Sequence, residues 1–263
     1  MAPTSKSVLV IGAGGLGGPV LLTLAAGGVG RLVLVDCDAV ESSNLNRQVL
    51  FGEADLGRRK AVAAAERLRA LHPDLEVEAI DGRFDAAGAE ALVRSVDVVV
   101  DGSDNFATKF LASDAATRCG KLLVHGGVLR STAQLLTVVP GQTGCLRCLF
   151  EGPPPPGQVP SCAEAGIVGA MAGFAGALMG AEALRLVAGE RGAYAGRMLV
   201  FDSRTGRSRL VLVRRRNGCA ACAGTLELAE GAAPACPPPG PAPAPTAAAA
   251  ASPSARTGSG SAA

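Results

Sequence analysis

The stretch SVLVIGAGGLGGPVLLTLAA, residues 7–26, decides the class of fold. It begins with an apolar run typical of a strand, continues with a turn that fits G-x-G-x-x-G, and ends in an apolar helical pattern. Glycines in such a turn let the backbone approach phosphate groups, and the helix that follows offers N–H donors. We therefore expect a nucleotide-binding turn formed by Gly12, Gly14, Gly15 and Gly17.

Apolar runs and helical patterns alternate along the first half of the chain. Strands are predicted at residues 7–11, 31–35, 75–80, 96–100 and 122–124, and helices at 16–26, 58–71, 86–94 and 106–118. This alternation is typical of βαβ units. Later strands at 133–139, 197–201 and 208–213 have short connections, which favour antiparallel pairing. The predicted fold is α/β, a Rossmann-like parallel sheet with helices on both faces, extended by antiparallel strands.

Composition limits the classes of function. A net charge of +2, from 25 basic and 23 acidic residues, gives no argument for nucleic acid or an anionic membrane as partner. Aromatic residues are 3% of the chain, which argues against a base-stacking platform. The charge-free run 165–181 is shorter than the about 20 residues of a membrane span, so a buried helix is predicted. We expect a cytoplasmic protein.

The two ends of the chain differ in composition. Residues 1–230 carry the strand and helix patterns and are predicted to form one nucleotide-binding domain. Residues 231–263 are rich in Ala and Pro and contain a single charged residue, Arg256, so a disordered tail is predicted there. Cys236 lies within this tail.

The glycine-rich turn by itself fits NAD, FAD or ATP, or a tight turn without a ligand. The segment DCDAVESSNLNRQ, residues 36–48, separates these alternatives. Asp36 is placed to hold ribose hydroxyls, whereas Arg47 can neutralise a polyphosphate through a bidentate contact that a dehydrogenase does not need. Lys60 can contact the same phosphates. The ordinary alternatives are a surface salt bridge for Arg47 and a solvated helix lysine for Lys60.

A second polar segment, DGSDN at residues 101–105, closes the fourth predicted strand. A carboxylate at the C-terminal end of a parallel strand can bind Mg²⁺ or orient ATP. Asp104 is the candidate, and a helix N-cap is its ordinary alternative.

Four cysteines form two C-x-x-C pairs, Cys145 with Cys148 and Cys219 with Cys222. Four thiolates suit a closed, tetrahedral Zn²⁺ site with a structural role, and redox use of one pair is the alternative.

The chain has eight cysteines and no export signal, so we expect reduced thiols or metal ligands rather than disulfides. Cys37 and Cys119 are predicted to be packing residues. The two histidines, His72 and His125, are assigned no role.

The motifs D-x-D-x-V-E-x-S-N-L-x-R-Q, G-x-x-K and D-x-x-D-N, at residues 36–48, 57–60 and 101–105, resemble those of the ThiF/MoeB/HesA-type adenylyltransferases. These are the bacterial relatives of ubiquitin-activating enzymes. The resemblance covers residues 6–222 and extends to GVG, HPDLEVE and CLRC. The combination is specific, unlike the glycine-rich turn alone.

The resemblance implies an ATP site over the glycine-rich turn. The ribose would lie on Asp36 and Mg²⁺ on Asp104, next to Asn105. The remaining residues that the resemblance places around the nucleotide are Ser43, Asn44, Arg47, Gln48 and Lys60.

The implied substrate is the C-terminal Gly-Gly carboxylate of a small ubiquitin-like sulfur carrier, for molybdopterin or thiamine-type sulfur transfer. The carboxylate would attack the α-phosphorus, release pyrophosphate and form an acyl-adenylate. A homodimer is also implied. In some family members a thiol at the position of Cys162 acts in sulfur transfer, and a helix N-terminus would lower its pKa; a bystander cysteine is the alternative.

One departure from the family pattern supports a rival hypothesis. Family members usually carry a helical segment before the first strand, with an Arg that reaches ATP in the partner subunit, whereas seven residues precede Val8 here. The rival is a catalytically impaired, zinc-stabilised scaffold that binds a ubiquitin-like protein. Two further alternatives are an NAD(P) oxidoreductase and an adenylyltransferase acting on a different small carboxylate or peptide.

Overall fold

The computed structural model describes residues 4–155, 158–159, 165–229 and 236–237. These residues fold around one eight-stranded sheet. The strands are β1 Ser7–Ile11, β2 Arg31–Asp36, β3 Glu76–Asp81, β4 Val98–Asp101, β5 Leu122–Leu129, β6 Thr132–Val138, β7 Arg197–Asp202 and β8 Arg207–Leu212. The helices are α1 Gly17–Ala26, α2 Lys60–Leu71, α3 Ala86–Arg94, α4 Phe106–Arg118, α5 Leu146–Leu149, α6 Gly169–Val187 and α7 Ala220–Ala223, with 3-10 turns at Ser42–Asn44 and Glu53–Asp55.

The strand order is β3-β2-β1-β4-β5-β6-β7-β8. Strands β1 to β5 are parallel, and β6, β7 and β8 each pair antiparallel with the strand before. The predicted α/β class and its antiparallel extension are confirmed. Because the chain builds β2 and β3 on one side of β1 and then places β4 on the other, the sheet has a topological switch point between β1 and β4. Open α/β sheets bind their ligands in the crevice at such a point.

Helices cover both faces of the parallel half of the sheet. Val8 and Val10 of β1 belong to a core that includes residues of α1, α2 and α6, whereas Leu9 and Ile11 belong to a second core with α3 and α4. A strand buried on both faces needs a continuous apolar run rather than alternation. The helices on both faces of the sheet therefore explain the continuous apolar run VLVI, residues 8–11.

Helix α6 packs closely against α1 through small residues. A Cβ atom on Gly176 would lie 2.4 Å from the carbonyl oxygen of Leu16, and one on Gly180 would lie 2.6 Å from Cβ of Thr23. Among the described residues α6 is the one helix long and apolar enough to cross a membrane by length and composition, but 56% of its apolar window is buried in the fold. The prediction of a buried helix is confirmed.

The structure contradicts the expectation that no cysteine forms a disulfide. Cys37 and Cys236 are disulfide-bonded, with Cα atoms 5.4 Å apart. The two residues are 199 positions apart, so only the folding of the chain brings them together. Cys119 is free and packs at the edge of the second core, as predicted. Of the predicted tail, residues 231–263, the structure describes residues 236–237; the rest lies outside the described residues, and its disorder stays a prediction.

Candidate active site

The glycine-rich turn lies at the switch point of the sheet. Gly12 has a φ of +89°, and a Cβ atom there would lie 3.0 Å from the carbonyl oxygen of Gly102. A Cβ atom on Gly17 would lie 1.7 Å from the carbonyl oxygen of Gly12. A side chain is excluded at Gly12 because the turn after β1 lies directly against the segment after β4, and at Gly17 because the start of α1 lies against Gly12 of the same turn. The glycine-rich turn and the polar segment 101–105 therefore share one crevice.

Asp36, the last residue of β2, is tied to this turn. Its carboxylate accepts hydrogen bonds from the N–H of Ala13 at 2.7 Å and from the N–H of Asp38 at 2.8 Å. Burial raises the pKa of Asp36, against the opposing influence of the Lys60 charge and the two N–H donors. A carboxylate has about four lone-pair sites, so Asp36 keeps acceptor capacity for ribose hydroxyls next to the phosphate turn.

Lys60 is the first residue of α2 and is only 4% exposed. Its Nζ lies 2.9 Å from Oδ2 of Asp38, and its N–H donates to the Asp38 carbonyl at 2.9 Å. The interpretation of Lys60 as a solvated helix lysine is therefore wrong. The neighbouring Arg58 differs, because it forms ion pairs with Asp55 and Glu66.

Arg47 lies beside the same turn. Its Cγ lies 3.5 Å from the position that a Cβ atom would take on Gly15. The guanidinium donates to the carbonyl of Ser43 and to Oδ1 of Asn46, both at 3.1 Å. Over the described part of the chain no carboxylate pairs with Arg47, so the structure does not support the surface salt bridge.

Gln48 contributes a buried polar group to the wall of the crevice beside the glycine-rich turn. It is 4% exposed, and its Nε2 donates to Oδ1 of Asn44 at 2.6 Å. The same Nε2 lies 3.5 Å from the position of a Cβ atom on Gly14. Among the described residues Oε1 of Gln48 has no hydrogen-bond partner although it is buried. Because buried polar atoms are normally satisfied, this oxygen marks a place for a donor from a ligand or a water.

Asp101, the last residue of β4, is completely buried in a polar network. Its Oδ1 accepts from the hydroxyl of Ser103 at 2.5 Å, and its Oδ2 lies 3.2 Å from Nζ of Lys109 and 2.8 Å from Nδ1 of His125. Lys109 also donates to the carbonyl of Gly126 at 2.6 Å. This network of hydrogen bonds holds the start of the segment 101–105 in place at the end of β4.

The sequence analysis assigned no role to His125 and did not single out Lys109. The available pattern was the position of Asp101 and His125 at corresponding points of the neighbouring strands β4 and β5, where they are register partners. Burial opposes ionisation of Asp101, but Lys109 and His125 hold the pKa of its carboxyl well below its usual range. Burial also lowers the pKa of His125, against the hydrogen bond that its ring makes to the Asp101 carboxylate.

Asp104 and Asn105 follow this network at the start of α4. Asn105 is the N-cap of the helix, and its side-chain oxygen accepts from the N–H of Thr108 at 2.9 Å. The alternative that Asp104 caps the helix is therefore wrong. Asp104 is exposed and directly follows the buried network at the end of β4.

The four paired cysteines come together as one cluster. Sγ of Cys145 lies 3.8 Å from Sγ of Cys148, 3.7 Å from that of Cys219 and 3.5 Å from that of Cys222. Tetrahedral Zn²⁺ with Zn–S bonds of about 2.3 Å places its sulfurs roughly 3.8 Å apart, so the donor set fits this metal. All four atoms lie within 4.8 Å of one another.

The cluster joins two distant parts of the chain. Cys145 precedes α5, and Cys219 precedes α7 after the last strand. Burial raises the pKa of Cys145, whereas for Cys148 the opposing hydrogen bond from the N–H of Arg216 helps to lower the pKa to about 7.

The predicted sulfur-transfer residue Cys162 lies outside the described residues, and its role stays a prediction. Ser43 is exposed at the start of the segment that carries Asn44, Arg47 and Gln48. The structure therefore brings most of the predicted nucleotide residues to one crevice, at the ends of β1, β2 and β4.

These features define a Rossmann-like α/β domain with a four-thiol site able to hold a metal ion. Residues 4–221 match the ThiF family, and the chain belongs to that family. The family predicted from the sequence is confirmed.

The chain resembles curated proteins along most of its length. It is 47% identical over 221 residues to the sulfur carrier protein adenylyltransferase of Thermus thermophilus, covering 82% of both chains. It is 43% identical over 218 residues to the SAMP-activating enzyme E1 of Haloferax volcanii, covering 83% of this chain and 80% of that one. It is 47% identical over 219 residues to the adenylyltransferase and sulfurtransferase MOCS3 of Bos taurus, and spans 48% of that longer protein.

Among solved structures, the fold matches MccB of E. coli. The crystal structure with succinimide has a TM-score of 0.73 at 23% identity, covering 83% of this chain and 66% of MccB. The structure of MccB with ATP has a TM-score of 0.72 at 23% identity, with coverage of 83% and 66%. At this identity the likeness shows a shared fold, and the predicted fold class is confirmed.

Proposed function

We propose that this ThiF-family chain uses ATP to adenylate the C-terminal Gly-Gly carboxylate of a small ubiquitin-like sulfur carrier. Relatives with 43–47% identity that are named as activating enzymes or adenylyltransferases support the enzyme class. The structural observation that carries the proposal is the placement of Arg47 and the buried Lys60 around the glycine-rich turn. Two cations beside a phosphate-binding turn suit a triphosphate.

In the proposed site, different residues bind the phosphates and the ribose of the nucleotide. The N–H groups of the turn and of the first residues of α1 donate hydrogen bonds to phosphate oxygens, since a helix N-terminus favours negative charge. Asp36 accepts the ribose hydroxyls. Oε1 of Gln48, which is buried without a partner in the described structure, accepts a donor from the bound ligand or its water.

The chemistry joins two anions, so its main obstacle is charge repulsion. An oxygen of the carrier carboxylate forms a bond to the α-phosphorus. The bond between the α-phosphorus and the oxygen that bridges to the β-phosphorus breaks, and its electron pair leaves with pyrophosphate. Arg47 and Lys60 offset the charge that builds on the phosphates, as preorganised cations in a crevice from which water is partly excluded. Ser43 and Asn44 line the same wall.

Mg²⁺ bound with ATP would supply further charge neutralisation at the phosphates. Asp104 is the residue that would hold it, because it is an exposed acidic residue just after the C-terminal end of β4, where open α/β sheets bind their ligands. Asn105 contributes indirectly: its N-cap hydrogen bond holds the start of α4 and therefore the backbone on which Asp104 stands.

We propose that the four-cysteine cluster holds Zn²⁺ in a structural role. All four thiolates would be ligands, which leaves no open position for a substrate. Protein purified under reducing conditions should contain one zinc per chain, and Cys148→Ser should lose it and lower the melting temperature. The free Cys119 offers the matched control, Cys119→Ser, which should keep the metal. A metal analysis that finds no zinc in the intact chain would overturn this assignment.

The decisive experiment is exchange of labelled pyrophosphate into ATP, because adenylate formation is reversible. Exchange should require the carrier and its terminal Gly-Gly, and Asp104→Ala should nearly abolish it while Asp74→Ala, an exposed carboxylate elsewhere, should not. Cys162→Ala should leave exchange intact, because a thiol would act after adenylation. If ATP and carrier bind without exchange, the impaired-scaffold alternative is correct; if NAD binds and ATP does not, the oxidoreductase alternative is correct.

The choice of carrier and pathway follows from the same assay. Carriers of the molybdopterin and thiamine type should be compared for the rate of exchange that each supports. We further propose a homodimer, for which light scattering of the purified chain is the test.

A further inference from the structure

The chain returns to the nucleotide crevice near its C-terminus. Cys236 is joined to Cys37 by a disulfide, and the carbonyl of Pro237 accepts from Nη1 of Arg59 at 3.0 Å. Nε of Arg59 donates in turn to Oδ1 of Asp81 at 2.7 Å. A covalent bond and a hydrogen bond thus hold residues 236–237, which we call the strap, at the C-terminal ends of β2 and β3.

These anchors adjoin groups of the proposed nucleotide site. Cys37 stands between Asp36, the ribose ligand, and Asp38, the partner of Lys60. Arg59 directly precedes Lys60 and forms an antiparallel bridge with Ala39. In the proposed site the phosphates lie on the glycine-rich turn and the ribose lies at the end of β2. The base of the nucleotide therefore extends toward the side of the crevice where the strap is held.

We propose that Cys37 and Cys236 form a reversible redox site that controls access of the nucleotide to this crevice. As a disulfide, the pair holds the strap beside Asp36 and weakens ATP binding. As two thiols, the pair releases the strap, since the hydrogen bond from Arg59 alone is a weak tether. The inference rests on the proposed function, because it assigns the crevice to ATP.

The redox step needs a small-molecule disulfide or dithiol as co-reactant. In oxidation, the thiolate of one cysteine attacks a sulfur of the small disulfide and expels one thiol; the second cysteine then attacks the mixed disulfide and expels the other thiol. Two protein thiols are oxidised and one small disulfide is reduced to two thiols. A dithiol reverses both exchanges. Both cysteines are partly exposed, which gives the reagents access.

The test compares the zinc-loaded protein, residues 1–263, after treatment with a small disulfide, oxidised glutathione, or with a dithiol, reduced dithiothreitol. Peptide mapping should find the Cys37–Cys236 link only in the oxidised sample. Because apparent affinity falls with the fraction of molecules that are competent to bind, ATP affinity measured by calorimetry should be roughly tenfold weaker in the oxidised sample. Cys236→Ser should bind ATP equally well after either treatment, with the affinity of the reduced wild type.

Cys119→Ser is the matched control and should retain the redox response of the wild type, and zinc content measured in each sample separates the strap from the four-cysteine cluster. Equal ATP affinity of the oxidised and reduced wild type, with the link present, overturns the redox control and leaves the proposed function intact. Absence of the link after oxidation also overturns it. If the reduced wild type and Cys236→Ser both fail to bind ATP, the proposed function itself fails, and the control of ATP binding fails with it.

Discussion

Two buried lysines stand at the starts of helices along the C-terminal edge of the sheet, and their partners differ. Lys60 in α2 pairs with Asp38, whose side chain is 51% exposed. Lys109 in α4 pairs with Asp101, whose side chain has no exposure, and also donates to Gly126. One lysine thus has a partner that faces solvent, whereas the other is enclosed in a network in which every group is hydrogen-bonded.

Under the proposed function, this difference separates a phosphate-binding cation, Lys60, from a structural one, Lys109. The charge of Lys109 is already compensated by a buried carboxylate, so Lys109 would add little to the binding free energy of an anion. The charge of Lys60 is shared with a carboxylate that water can solvate when a phosphate takes its place. Both lysines are buried, so the feature that distinguishes the proposed phosphate-binding lysine is the exposure of its partner.

The largest expected effect is on stability at the enclosed pair. Lys109→Met leaves the Asp101 carboxylate buried without its cation, and breaking a buried pair in this way costs about 3–5 kcal/mol. Urea unfolding followed by circular dichroism should show this loss in the free energy of unfolding. Lys121→Met, a partly exposed lysine before β5, is the control and should change stability by less than about 0.5 kcal/mol. A loss under about 1 kcal/mol in Lys109→Met would show that the network is not closed as described.

The open pair should show the opposite behaviour. Lys60→Met should reduce pyrophosphate exchange by roughly a hundredfold or more, the scale at which removal of one preorganised charge-stabilising group acts. Its free energy of unfolding should change by less than about 1 kcal/mol, because Asp38 can turn to water. Arg67→Met, an exposed residue on the same helix, controls for the loss of a positive charge. A variant that unfolds while exchange per folded molecule stays normal would assign Lys60 to structure.

The smallest effect is the pH dependence of the enclosed network. The pKa of His125 is lowered by burial, so the unfolded chain binds a proton near pH 6.5 that the folded chain does not. The free energy of unfolding should therefore fall as the pH drops below about 6.5, by at most about 1.4 kcal/mol per pH unit. His125→Asn should flatten this slope between pH 7 and 5, whereas His72→Asn should keep it. An unchanged slope in His125→Asn would show that another group titrates.

The comparison also shows how far the sequence could lead. The glycine-rich turn, Arg47 and Lys60 were recognisable because each lies in a short motif whose residues adjoin in the fold. The interpretation of Lys60 as solvated failed as soon as its burial was known, since helical position does not report what packs above a residue. Asp101 and His125 are separated by 24 positions and meet only through the pairing of β4 and β5.

The sequence by itself determined the α/β class, the phosphate turn and the two cysteine pairs, because local spacing sets backbone conformation and the reach of neighbouring side chains. The tertiary structure alone decided which lysine is enclosed, how four thiols meet, and that Cys37 joins Cys236 across 199 positions. These contacts depend on strand order and on helices packing over the sheet edge. Distances between remote residues are products of that packing, and no local pattern encodes them.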